Sequence, residues 1–192
     1  MTISNKTIGV FRDSLLFFSK EFKGTRVIIG KVANIGRAED YSIHSVENFS
    51  DELFASIEEF RNELSFSLIE KKNIQDIHTC YCGTAMGKHF IVSKDGTIKT
   101  CSHLDVDGEF VVGRIIDDVF SIDTNRVAYL QQKYVVCNRS RCGECIAKYY
   151  CAGGCPSNEK YSYEDYISAC ELQKRIFVNR MEERLRSNSQ HV

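Results

Sequence analysis

Apolar positions recur at roughly helical spacing from Lys6 to Phe22, at Ile8, Val10, Phe11, Leu15, Phe18 and Phe22. Lys23-Gly24 interrupts the pattern, and a helix is expected to end there. Arg26 to Ile35 (RVIIGKVANI) is rich in β-branched residues and predicts a strand. Ser50 reads as an N-cap, with Asp51 and Glu52 in the first turn of a helix running to about Lys72. That helix gathers Leu53, Phe54, Ile57, Phe60, Leu64, Leu68 and Ile69 on one broad face and leaves Glu58, Glu59 and Glu63 on the wet side. The front of the chain, residues 1 to 78, is thus expected to be helix, strand, helix.

The pattern changes after residue 78. His89 to Val92 and Thr97 to Cys101 flank Ser93-Lys94-Asp95-Gly96, an Asp-Gly hairpin signal. Phe110 to Val112 adds a short strand. Ile122 to Tyr134 predicts a short helix. Residues 137 to 157 are too dense in cysteine and glycine for regular structure. Ser162 to about Arg186 predicts a terminal helix, apolar at Tyr166, Ile167, Cys170, Leu172, Ile176, Phe177, Met181 and Leu185. The fold class expected is α+β, with a division into residues 1–78 and 79–192.

Composition narrows the function classes. The 192 residues are 43% hydrophobic and 27% charged, which fits an ordinary globular chain. The 25 basic and 26 acidic side chains leave a net charge of -1, so the electrostatic case for nucleic acid is absent. No apolar run approaches the roughly 20 residues a membrane span requires, and no secretion signal precedes the first helix. A cytoplasmic protein with no membrane partner is expected.

Nine cysteines change the picture: Cys80, Cys82, Cys101, Cys137, Cys142, Cys145, Cys151, Cys155 and Cys170. An odd count without a secretion signal argues against a disulfide framework. Cys142, Cys145, Cys151 and Cys155 stand as C-x2-C-x5-C-x3-C. Gly143 and Gly153-Gly154 let the backbone wrap tightly, aiming N–H groups at negative sulfur. Four thiolates suit zinc or an iron–sulfur cluster, and this many cysteines supply two sites. A second group, Cys82-x13-Gly96-x4-Cys101, is carried by the predicted hairpin, with Cys80 competing as its first member.

In this order the cysteines resemble the SPASM domain, the auxiliary-cluster module at the C-terminus of many radical S-adenosylmethionine enzymes. The resemblance covers about Cys80 to Arg186 and includes CGTA at Cys82, IVSKDGTIKTC and CGECIAKYYCAGGC. It implies a small irregular domain with a β-hairpin and a long C-terminal helix, holding two [4Fe-4S] clusters. Carried over residue by residue, Cys82, Cys101 and Cys155 would hold the first cluster, with Cys80 or Cys137 as fourth ligand. Cys142, Cys145, Cys151 and Cys170 would hold the second. The front segment resembles the end of the partial (β/α) barrel that precedes such domains.

The C-x3-C-x2-C motif of the radical S-adenosylmethionine core is absent: Cys151-x3-Cys155 is followed by Asn158 where its third cysteine would stand. S-adenosylmethionine is therefore not expected to bind this chain alone. The resemblance implies the C-terminal portion or split subunit of a peptide- or protein-modifying enzyme, serving electron transfer and substrate binding. A radical S-adenosylmethionine core subunit and a peptide or protein substrate are the partners it implies. The competing reading is a structural zinc-binding interaction module.

Other residues carry weaker signals. His78, His89 and His103 lie near the first cysteine group and read as surface or hairpin histidines. Asp105, Asp107 and Glu109 around Gly108 read as a solvated turn. Tyr149, Tyr150, Tyr161, Tyr163 and Tyr166 read as packing. Arg139 and Arg141 either offset cluster charge or sit in a solvated loop.

Overall fold

The computed structural model describes residues 2–4, 6–31, 46–68, 76–83, 86–102, 108–156, 159 and 163–189. The chain mixes helix and strand and forms two compact units, Met1–Ile74 with Tyr161–Val192, and Gln75–Lys160. The terminal helix therefore belongs with the front of the chain. Spacing alone groups it with the cysteines, because spacing does not say which core its apolar face joins.

In the first unit, β1 (Thr2–Ile3) leads through a 3-10 turn into α1 (Phe11–Glu21). Then come β2 (Arg26–Lys31), α2 (Val46–Glu59) and β3 (Ser65–Leu68). The sheet order is β1-β2-β3 and both pairings are parallel, Thr2 facing Gly30 and Arg26 facing Ser65. Parallel neighbours need a crossover, and α1 and α2 lie in the two connections. Along β2, Val27 and Ile29 are buried while Ile28 between them is 51% exposed, the alternation of a sheet packed on one face. Phe11 and Leu15 of α1, with Phe49, Leu53 and Ile57 of α2, belong to the buried core. The long helix α5 (Tyr163–Ser189) packs on α2 and buries Tyr166, Leu172 and Ile176. One exposed ion pair also joins these helices, Arg175 to Asp51 at 3.2 Å, and Arg61 in the turn after α2 reaches Glu183 of α5 at 2.7 Å. Such pairs contribute little beside the apolar contact.

The expected helix-strand-helix front is thus incomplete. The helix expected from Asp51 to about Lys72 ends at Glu59; the chain turns over 60–63 and enters β3. Ser-Phe-Ser-Leu alternates with period two, and the ladder with β2 satisfies its backbone groups where continued helix would leave β2 without this neighbour. Ser50 does not cap α2, because the helix already runs from Val46 and Ser50 is buried inside it. Residues 32–35 and 69–72, the ends of the expected strand and helix, lie outside the described residues.

The second unit is built on an antiparallel sheet of β4 (Ile91–Val92), β5 (Thr97–Lys99), β6 (Val111–Ile116) and β7 (Val119–Ile122), in that order. The expected hairpin is present, with Val92 facing Ile98. Gly96 adopts φ +79°, and the Asp95 carboxylate accepts bonds from Thr97 N at 3.2 Å and Thr97 Oγ1 at 2.8 Å. The hairpin β6–β7 was not foreseen beyond the short strand at Phe110–Val112. Asp117 and Asp118 turn it at φ 49° and 61°, the two positive values a two-residue type I′ loop requires. Helix α3 (Thr124–Tyr134) follows, its N-cap Asp123 accepting from Arg126 N at 3.0 Å. Ile98, Phe110, Val112, Leu130, Tyr134 and Val136 are buried in this unit, with Phe110 and Tyr134 stacked 5.4 Å between ring centroids.

Candidate metal centre

Residues 136–156 form a succession of tight turns. Two 3-10 turns, Val136–Asn138 and Ser140–Cys142, precede the single helical turn α4 (Lys148–Cys151). The Cys142 N–H donates to Arg139 O at 2.8 Å and the Cys145 N–H to Cys142 O at 3.3 Å, so C-x2-C closes into one turn. The Lys148 N–H donates back to Cys145 O at 3.0 Å. After Cys151 the chain takes three successive positive φ values, 57° at Ala152, 86° at Gly153 and 73° at Gly154, before Cys155. The glycines make that reversal affordable in strain; Ala152 bears it as the C-cap of α4.

Cys142 and Cys151 are buried, Cys145 and Cys155 half-buried. Burial pushes the Cys142 thiol up; the Arg139 charge opposes that, Cys145 adds to it and Lys148 opposes it again. Arg139 is not in a solvated loop. Its side chain is 7% exposed, paired with Glu159, and its guanidinium lies 5.7 Å from the Tyr134 ring centroid. Arg141 is exposed.

The segment carrying Cys80 is tied to the same region. Thr79 O accepts from Val136 N at 2.8 Å, and Tyr149 O accepts from His78 N at 2.9 Å. Cys137, exposed, has its Sγ 3.9 Å from Tyr149 Oη. The two candidates for a fourth ligand of the first site, Cys80 and Cys137, therefore sit on adjoining backbone segments. His78 is half-buried, with its Nε2 buried and without a hydrogen-bond partner. Cys82 precedes a turn in which Gly83 O accepts from Lys88 N at 2.9 Å. Cys101 follows Thr100, whose N–H donates to Phe110 O at 2.9 Å. Cys170 lies on α5, in the first unit.

Glu109 was misread as part of a solvated turn. It is buried, pairs with Lys133 and accepts from Tyr134 Oη at 3.0 Å. Its partners lie 24 and 25 residues away, so no local signal could reveal it. Asp105, Asp107 and His103 lie outside the described residues.

None of the nine cysteines forms a disulfide. Among the described residues, no three His, Cys, Asp or Glu side chains converge as a group that would hold a metal ion. What the second unit presents is a C-x2-C turn beside two cations and a glycine-lined reversal between two further cysteines. This donor chemistry fits a thiolate-ligated metal or cluster. Among the described residues no helix is long and apolar enough to cross a membrane. No family model, no curated protein and no solved structure matches the chain.

Proposed function

We propose that this chain is an iron–sulfur protein of the SPASM type, holding two [4Fe-4S] clusters and working with a radical S-adenosylmethionine core on a peptide or protein substrate. The reading rests on the ordered series of seven cysteines. Its chief structural support is the C-x2-C turn of Cys142 and Cys145 beside Arg139 and Lys148. Cys142, Cys145, Cys151 and Cys170 are assigned to one cluster. Cys82, Cys101 and Cys155 are assigned to the other, with Cys80 or Cys137. When bound, such clusters accept or pass single electrons, at potentials set by ligand count, burial and hydrogen bonds to sulfur.

The chain's own residues supply the surroundings. Arg139 and Lys148 offset thiolate charge, and the turn N–H groups bond backbone carbonyls, which fixes the course of the chain past the cysteines. The first unit adds a second support. Three parallel strands in consecutive order, with a helix in each described connection, are the repeat from which a (β/α) barrel is made.

The test is iron and acid-labile sulfide content with an absorption spectrum, on anaerobically purified and reconstituted protein. About eight iron and eight sulfide per chain are expected for two [4Fe-4S] clusters. Stoichiometric zinc with no sulfide after reconstitution would overturn the reading in favour of a structural zinc module.

A further inference from the structure

Arg139 is a cationic side chain buried where charged side chains are costly. It touches both cysteine-bearing turns. Its carbonyl accepts the Cys142 N–H at 2.8 Å, fixing the start of the Cys142–Cys145 turn. Its aliphatic stem runs along the other turn: a Cβ added to Gly153, between Cys151 and Cys155, would lie 2.8 Å from Arg139 Cδ. Beyond Cys155, Glu159 meets the guanidinium, and Tyr134 flanks it on another side. The arginine side chain is 7% exposed and the glutamate side chain 43%, so the positive end is the buried one.

We propose that Arg139 is the positioning residue of the cluster to which Cys142, Cys145 and Cys151 are assigned, holding together the turns that carry them and raising its reduction potential. The proposal rests on the iron–sulfur reading. Its physical basis is the sign of the charge. A thiolate-ligated cluster gains one negative charge on reduction, and a buried cation nearby stabilises the reduced state more than the oxidised one. Glu159 opposes the arginine but stands closer to water, so its field is screened more strongly. Gly153 is the counterpart: a Cβ there would press on the arginine stem and displace it, and φ +86° asks for glycine independently.

The experiment uses the full chain, reconstituted anaerobically, with iron content and an electrode titration followed by electron paramagnetic resonance. Arg139→Gln is expected to lower the potential of one cluster and leave the other in place. Arg139→Lys, which keeps the charge, is expected to restore most of that potential. Glu159→Gln is expected to shift the same cluster upward. Arg139→Gln protein with full iron and both potentials unchanged would overturn the proposal, as would shifts of the same sign in Arg139→Gln and Glu159→Gln. Should Arg139→Gln fail to take up iron, Glu159→Gln decides: an upward shift supports the proposal and no shift overturns it. A wild-type chain that takes up no iron and sulfide overturns the iron–sulfur reading and this proposal together. Clusters at unshifted potentials overturn this proposal alone.

Discussion

Tyr134 keeps its phenol proton because every large influence on it acts in one direction. Burial raises its pKa most, and the Glu109 charge and hydrogen bond raise it further, with Glu159 adding and Arg139 opposing. An unfolded tyrosine ionises near pH ~10. The folded value lies above that, so the proton's contribution to stability is complete below about pH 10 and is lost as pH rises beyond it. Denaturant unfolding at about pH 8 and again at about pH 11 should therefore show a steeper alkaline loss for the wild type than for Tyr134→Phe. The substitution itself should cost about 1 kcal/mol at neutral pH, because Glu109 loses one donor and keeps Lys133. Equal alkaline losses in the two proteins would remove Tyr134 as the source.

Hairpins show which parts of the fold local sequence specifies. Asp95-Gly96 announced its turn because only glycine takes φ +79° freely, and the structure adds a second reason: a Cβ there would sit 2.6 Å from the Ile115 carbonyl oxygen in β6. Gly96→Ala should destabilise the second unit by about 2 kcal/mol or more, read as a lower denaturation midpoint. Asp117-Asp118 turns on two positive φ values without glycine, so its signal was silent. Asp118→Gly should relieve the φ 61° strain and gain about 0.5 kcal/mol; a loss of stability would show that the aspartate makes a compensating contact. The element that sequence could not place was β3. Leu64 and Leu68 fit the helical face that begins at Leu53, and they also fit the two-residue period of a strand. Pairing with β2, a partner some forty residues back, decided between the two. The C-x2-C turn was legible for the opposite reason, since its hydrogen bonds close within three residues.

At the scale of the whole molecule, the cysteines fall in both units. Cys142, Cys145 and Cys151 belong to Gln75–Lys160, and Cys170 belongs with the front of the chain on α5. Spacing made Cys170 look like the end of a cysteine-rich domain, whereas the packing of Leu172 and Ile176 gives its helix to the other core. A metal-content comparison turns this division into a measurement. Cys142→Ala and Cys170→Ala should each lose about four iron per chain, and the double variant should lose no more than either single one, because two ligands of one cluster are not additive. Cys170 is half-buried on a long helix, so its replacement by alanine should leave α5 formed; circular dichroism checks that the loss is one of ligand and not of fold. If Cys142→Ala loses iron and Cys170→Ala retains it, the second cluster draws its ligands from Gln75–Lys160 alone. Cys155, Cys137 or Cys80 then becomes the next ligand to replace. If both retain all their iron, the two-cluster assignment fails at its best-specified point.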